Sequence, residues 1–88
     1  RPYKNSLNHP ELSSLGRAIR SIRLKIGISQ EYLAELAGID RSYMGGVERG
    51  EHNLSLINIK RIADALEFPI SFVMNRYFCF LRPQGLSS

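Results

Sequence analysis

Cysteine, histidine and tryptophan are scarce in this chain, and long apolar runs are missing. Its 88 residues include one cysteine, two histidines and no tryptophan. The single Cys79 excludes an intramolecular disulfide framework and a cysteine-rich metal site, while His9 and His52 have no partners at ligand spacing. No apolar run approaches the ~18 residues that a membrane span needs. We therefore expect a protein of the reducing cytoplasm without a metal, a cofactor or a membrane segment.

The sequence patterns of common catalytic sites are also missing. Serine, histidine and acidic residues occur, but none lies in a nucleophile elbow, a phosphate loop or a metal-binding pattern. A domain of this size also leaves little room for a buried active site. The sequence therefore predicts that the protein is not an enzyme.

The charge balance is basic. Twelve basic residues against eight acidic ones give a formal net charge of +4 and a pI near 9.6. Such a balance favours a polyanionic partner without identifying it. The apolar content of 43% and the charged content of 23% are ordinary for a compact domain. A single small core has a thin stability margin, which favours oligomerisation that buries more apolar surface.

Apolar residues recur at steps of three and four in two long segments, the spacing of amphipathic helices. The stripe of the first helix, from Glu11 to a cap at Gly27, comprises Leu12, Leu15, Ile19, Ile22 and Ile26. The stripe of the fourth helix, after a cap at Ser55, comprises Leu56, Ile59, Ile62, Ala63 and Leu66. A fifth, short helix after Pro69 contains Ile70, Val73 and Met74. With the two helices described next, the pattern predicts an all-α, five-helix domain.

The stretch from Gln30 to Arg49 has the pattern of two short helices joined by a sharp turn. Ser29 is placed to cap the first of them, Gly38 favours the left-handed backbone at its end, and Asp40 is placed to cap the second. Met44 and Val47 lie on one face of the second helix and are predicted to point inward. The residues predicted to face away are Arg41, Ser42, Tyr43, Gly45, Gly46 and Arg49. This arrangement is typical of a helix-turn-helix with an exposed reading helix.

The pattern divides the chain into three parts: an irregular arm at residues 1–10, the helical domain at residues 11–76 and an apolar tail at residues 77–88. The tail opens with an unbroken apolar run, which could complete the core, add a strand or contact a second copy of the chain. Cys79 lies in this run and is expected to be a buried small hydrophobe.

The segment from about Leu15 to Met74 resembles the Cro/phage-repressor (XRE-type) helix-turn-helix family. The matching elements are LGRAIRSIRLKIGISQEYLAELAGIDRSYMGGVERG and, after it, NLSLINIKRIADAL. The small size and the NLSL segment are similar to the controller proteins of restriction-modification systems. The resemblance implies a compact lambda-repressor-like domain that regulates transcription. It also implies a homodimer that binds the major groove of double-stranded DNA at a palindromic operator.

The resemblance further assigns roles to individual positions. Base contacts are expected from the start of the reading helix, at Arg41, Ser42 and Tyr43. Contacts with the DNA backbone are expected from Gln30 and Asn53, and the position of Arg49 at the end of the reading helix favours a third such contact. A structural ion pair is expected between Arg23 and Glu48. The apolar end of the chain predicts a dimer surface that comprises Ile70, Phe72, Val73, Phe78 and Phe80.

Gly45 and Gly46 depart from the family pattern, since they place two glycines inside the reading helix. Each glycine inside a helix costs about 0.5–1 kcal/mol relative to alanine. Either a bare surface lets the reading helix approach DNA closely, or a loosened helix is simply tolerated. The role of Tyr43 also has two interpretations, since its side chain could touch DNA or pack against the second helix.

A second function also stays open, in which the fold serves as a protein-interaction or antitoxin-like module. Salt-dependent binding to duplex DNA separates this function from that of a regulator.

Overall fold

The computed structural model describes residues 9–81, and within this range it contains five α-helices and no strand. The helices are α1 (Pro10–Ile26), α2 (Gln30–Ala37), α3 (Arg41–Arg49), α4 (Leu56–Leu66) and α5 (Ile70–Leu81). This confirms the predicted all-α, five-helix class. The remainder of the predicted arm and tail, at residues 1–8 and 82–88, lies outside the described residues. None of the five helices has the length and hydropathy needed to cross a membrane.

Side-chain caps fix the starts of three helices. Ser29, Asp40 and Ser55 each accept a hydrogen bond from a backbone N–H in the first turn of the helix that follows. Such caps satisfy donors that have no partner inside the helix. Gly38 ends α2 with φ of 69°, the left-handed conformation that favours glycine. The predicted caps of the helix-turn-helix are therefore confirmed.

The core lies where α1 packs against α3 and α5, and where α2 packs against α3 and α4. Its largest fully buried side chains are Ile19, Ile22, Leu33, Met44, Val47, Ile62, Leu66 and Val73. The burial of Met44 and Val47 confirms the predicted inward face of α3. Since α3 contacts both α1 and α2, its position is determined from two sides.

Gly16 permits the close crossing of α1 and α3. A Cβ atom at this position would lie 2.5 Å from the carbonyl oxygen of Val47 and 2.6 Å from that of Glu48. A larger residue would therefore push the backbone of α3 away from α1. Gly16 was not among the residues predicted to position the helices, although a glycine in the middle of a helical pattern often marks such a contact.

Two residues predicted to lie in buried stripes are exposed. Leu56 is 70% exposed in the first turn of α4, and Ile26 is 40% exposed in the last turn of α1. Both predictions were wrong, because a terminal turn has neighbours on one side only along the helix axis. Ile57, next to Leu56, is also largely exposed. The two residues leave an apolar pair on the surface at the start of α4.

The helix α5 continues through residues 77–81, which form the beginning of the predicted tail. Tyr77 packs against the core, and Val73 is completely buried in it. Val73 therefore cannot contribute to a dimer surface, and that prediction was wrong. Cys79 is exposed rather than buried, because a position six residues after Val73 lies on a different face of the helix.

Candidate nucleic-acid interface

The helix α3 has a buried face and an outward face. Met44 and Val47 point into the core. At about 100° per residue, Ser42, Gly46 and Arg49 lie on the opposite side of the helix. The exposed side chains of this outward face, Ser42 and Arg49, can meet a large ligand without disrupting the core.

Arg23 and Glu48 hold α3 against α1 through a buried ion pair. The Nε atom of Arg23 donates to Oε2 of Glu48 at 2.7 Å, and Nη2 donates to Oε1 at 3.0 Å. The two side chains are 9% and 2% exposed. The Nη1 atom of Arg23 also donates to the carbonyl oxygen of Ile28, at 3.0 Å. The structure thus places the predicted structural pair at the junction of α1, α3 and the loop before α2.

Gln30, the first residue of α2, shares this network. Its Nε2 atom donates to Oε1 of Glu48 at 3.1 Å, and the side chain is half-buried. An amide nitrogen carries two N–H groups, so the bond to Glu48 leaves one donor of Gln30 for a further acceptor. The side chain is held in place by the same carboxylate that holds Arg23.

Gly45 and Gly46 are buried rather than bare. A Cβ atom at Gly45 would lie 3.1 Å from Nη1 of Arg49 and 3.4 Å from Oε1 of Gln30. A Cβ atom at Gly46 would overlap Nε2 and Cδ2 of His52. Of the two interpretations, the one that gives α3 a bare surface does not fit, because side chains from the helix end, the next loop and α2 lie on the two glycines.

Tyr43 packs against the loop after α3 and against α4. Its ring stacks on His52, with centroids 4.4 Å apart and planes inclined by 17°. Its hydroxyl oxygen accepts a hydrogen bond of 3.4 Å from Nδ2 of Asn58. The side chain is half-buried at the edge of the core. Tyr43 therefore packs with His52 and Asn58 at the edge of the core.

Arg49 and Glu51 form an exposed ion pair at the end of α3. The Nε atom of Arg49 donates to Oε2 of Glu51 at 2.8 Å, and Nη2 donates to Oε1 at 3.1 Å. These hydrogen bonds lower the pKa of Glu51 and raise the pKa of Arg49. A carboxylate that occupies the guanidinium in this way competes with any other anion that approaches it.

Three further predicted contact residues, besides Arg49, are exposed on the surface around α3. Arg41 and Ser42 form its first turn, and Asn53 follows it in the loop before α4. Within residues 9–81, no ion pair holds the guanidinium of Arg41. The first turn of α3 therefore presents a long cationic side chain to a ligand.

The structure adds two residues to this surface that the sequence analysis did not assign to it. His52 lies on Gly46 and Tyr43, and Glu51 holds Arg49. The paired glycines were the available signal, since two missing side chains on one helix face make room for something else. The glycines alone do not predict which side chain occupies that space or how it is oriented.

The expected dimer residues on α5 are only partly exposed. Phe78 is 60% exposed and Phe72 is 38% exposed. Ile70 and Phe80 are half-buried, and the guanidinium of Arg17 lies 4.7 Å from the ring centroid of Phe80. Between residues 70 and 80, the free apolar surface of α5 thus consists mainly of Phe72 and Phe78, which point in directions about 120° apart.

Comparison with known proteins relates the chain to a known family. The helix-turn-helix family matches residues 19–73. The control protein C.SmaI from Serratia marcescens is 39% identical over 62 residues, which cover 70% of this chain and 74% of that protein.

Two solved structures share the fold. The restriction-modification controller protein C.AhdI from Aeromonas hydrophila has a TM-score of 0.72 at 46% identity, over 74% of this chain and 98% of that chain. A variant of C.Esp1396I bound to its highest affinity operator site has a TM-score of 0.78 at 28% identity, over 84% of this chain and 97% of that chain. With the family match over more than half of its length, the chain belongs to the XRE-type helix-turn-helix family of DNA-binding transcriptional regulators.

Proposed function

We propose that the protein regulates transcription as a homodimer that binds a palindromic operator in double-stranded DNA. One α3 helix of each copy enters the major groove of one half-site. The observation that carries this proposal is the outward face of α3. Its first turn presents Arg41 and Ser42, and its last turn presents Arg49, while a buried ion pair fixes the helix on α1.

Each of these residues has a role that its position supports. Arg41 can donate two hydrogen bonds to the O6 and N7 atoms of a guanine. Ser42 and Tyr43 complete the base-reading end of the helix. The backbone contacts come from Gln30, which has one free N–H, and from Arg49 and Asn53 at the other end of α3. Gln30 and Arg49 both lie beside Gly45, so these contacts would hold the second half of the reading helix on the duplex and fix its register.

The operator in the solved complex of C.Esp1396I supports the DNA target. That protein shares the fold of this chain at a TM-score of 0.78. The likeness to C.SmaI and C.AhdI, named control and controller proteins, supports a regulatory role. The basic charge of the chain agrees with a polyanionic ligand.

The homodimer would use the apolar side chains that remain exposed on α4 and α5, namely Leu56, Ile57, Phe72 and Phe78. Fully burying such a side chain contributes about 1.5–3 kcal/mol. A second copy presents the same four residues, so a twofold arrangement covers apolar surface with apolar surface. The operator would then be read at two half-sites about one helical turn apart.

Selection of bound duplexes from a random pool tests this function, because it requires no knowledge of the operator. We expect the full chain to select one palindromic sequence and to lose affinity as salt increases. We expect the mass in solution to be that of two chains. Binding that ignores both sequence and salt would contradict the proposal and would favour the protein-interaction or antitoxin-like module.

A further inference from the structure

The geometry points to His52 as a base-reading residue that acts in the place left by the missing side chain of Gly46. The inference rests on the proposed function and adds a specificity-determining residue from outside the reading helix. Its basis is the position of one imidazole ring on the outward face of α3.

Gly46 lies at the centre of that face. It follows Ser42 by four residues and precedes Arg49 by three, so the three positions share one side of the helix. That side is opposite the buried Met44 and Val47. A side chain at position 46 would therefore extend directly toward the proposed major groove.

His52 fills the space where that side chain would begin. A Cβ atom at Gly46 would overlap Nε2 and Cδ2 of the imidazole. The ring thus rests on the helix backbone by this edge, and Nδ1 lies on the opposite edge of the ring. No other amino acid at position 46 allows the ring to lie there.

The ring is oriented by stacking on Tyr43. The two planes are inclined by 17° with centroids 4.4 Å apart. Tyr43 itself is held by the hydrogen bond from Asn58 and by the edge of the core. Contacts with two residues of α3, Tyr43 and Gly46, therefore fix the imidazole, even though His52 belongs to a loop.

The Nδ1 edge of the ring remains available to a ligand, since it lies opposite the edge that rests on Gly46. Within residues 9–81, neither nitrogen of His52 hydrogen-bonds to another residue, and the side chain is half-buried. In a neutral imidazole, Nδ1 is a donor or an acceptor according to the tautomer. The base edges in the major groove present both kinds of partner, in a pattern that differs for each base pair. An oriented imidazole at this position can therefore discriminate between bases.

A set of four variants tests this role against a purely structural one. His52→Ala removes the ring, and His52→Phe keeps an aromatic ring for Tyr43 but removes both nitrogens. Gly46→Ala displaces the ring with a Cβ atom, and the double variant Gly46→Ala/His52→Ala measures whether the two changes act on the same contact. His9→Ala, which removes the other imidazole of the chain, is the matched control.

Each variant is put through the duplex selection, and its thermal midpoint is recorded. We expect the wild type and His9→Ala to select the same motif. His52→Ala, His52→Phe and Gly46→Ala should each flatten the preference at one position per half-site by about fivefold, the effect of one typical hydrogen bond. The double variant should show the loss of a single variant rather than twice that loss. A structural role of His52 would change the thermal midpoint and leave the preference of the folded protein intact.

Two results overturn the inference while leaving the proposed function in place. One is an unchanged motif for His52→Ala, and the other is a uniform loss of affinity for all sequences, which would make His52 a backbone contact. A wild type that selects no motif overturns the proposed function and this inference together.

Discussion

Arg23 on α1 and Glu48 on α3 are joined by two parallel hydrogen bonds, 2.7 and 3.0 Å long, in a site from which water is almost excluded. The pair spans 25 residues of sequence and links the first helix to the reading helix. Because the guanidinium and the carboxylate are both planar, two bonds fix their relative orientation as well as their distance. The pair therefore contributes, with the core packing, to the angle at which α3 is presented.

Removing one partner of this pair should destabilise the fold strongly. Glu48→Ala leaves the guanidinium of Arg23 buried without its counter-charge, and breaking a buried pair in this way costs about 3–5 kcal/mol. It also removes the acceptor of the Gln30 amide. We expect a large decrease in the urea concentration at the unfolding midpoint, monitored by circular dichroism.

The double variant Arg23→Met/Glu48→Met is the control for that experiment. Two apolar side chains of similar volume leave no unpaired charge, so they should recover most of the lost stability. If Glu48→Ala alone unfolds at the same urea concentration as the wild type, the pair contributes nothing to the fold.

Arg41 and Arg49 should differ in the kind of DNA binding that they support. Arg41→Ala should relax the preference at one base pair by about 1–3 kcal/mol, because it removes two hydrogen bonds to a base. Arg49→Ala should weaken binding to all sequences and reduce the slope of log affinity against log salt by about one. Fluorescence anisotropy with matched and mismatched duplexes over a salt series measures both effects. Equal losses for both variants on every duplex would contradict the assigned roles.

Glu51→Gln should strengthen DNA binding. The carboxylate of Glu51 occupies the guanidinium of Arg49 and adds a negative charge beside the proposed phosphate contacts. Its removal should raise affinity about two- to fivefold for all sequences, while the unfolding midpoint stays unchanged because the pair is exposed. Since Arg49 lowers the pKa of Glu51, the carboxylate is charged throughout the neutral range. The gain should therefore be the same at about pH 6 and about pH 8.

A matched change on another helix controls for charge alone. Asp64 forms an exposed pair with Lys60 on α4, with Nζ and Oδ2 3.0 Å apart. Asp64→Asn removes the same unit of charge away from α3. An equal gain in affinity from Asp64→Asn would show that Glu51 acts only through the net charge.

Much of the fold could be predicted from the sequence because its signals are local. Caps such as Ser29 and Asp40 act within one turn of the chain, and a buried stripe has the helical period. The errors fall where neighbours distant in sequence decide the outcome. Leu56 has the right spacing for the core but nothing to cover it, and Val73 lies in the apolar end of the chain but is covered by the rest of the core.

Less of the site could be predicted, for the same reason. The pairing of Arg23 with Glu48 was expected from the resemblance to a family and not from spacing. The position of His52 on Gly46 depends on the path of a loop, which no periodicity describes. The sequence indicates that two side chains are missing from the helix face, whereas only the three-dimensional arrangement shows what replaces them.

The proposed dimer should dissociate when charge is placed on its apolar surface. Ile57→Lys and Phe78→Lys each introduce an ammonium group at a largely exposed position, so the single chain should still fold. A partner would have to bury that charge, and the mass in solution should decrease toward that of one chain. Point substitutions are preferable to deletion of residues 77–88, since residues 77–81 belong to α5. An unchanged dimer in both variants would exclude these residues from the interface.

The two glycines at positions 16 and 45 should respond in opposite ways to the same substitution. Gly16→Ala places a Cβ atom 2.5 Å from a backbone carbonyl oxygen of α3, which cannot move without separating the helices. Such overpacking costs about 1–3 kcal/mol.

Gly45→Ala places its Cβ atom 3.1 Å from the end of the Arg49 side chain, which can rotate away. The substitution should then stabilise the fold by about 0.5–1 kcal/mol, the difference in helix propensity. Urea unfolding of the two variants beside the wild type measures both values. If Gly16→Ala is as stable as Gly45→Ala, then α1 and α3 do not cross as closely as the structure shows.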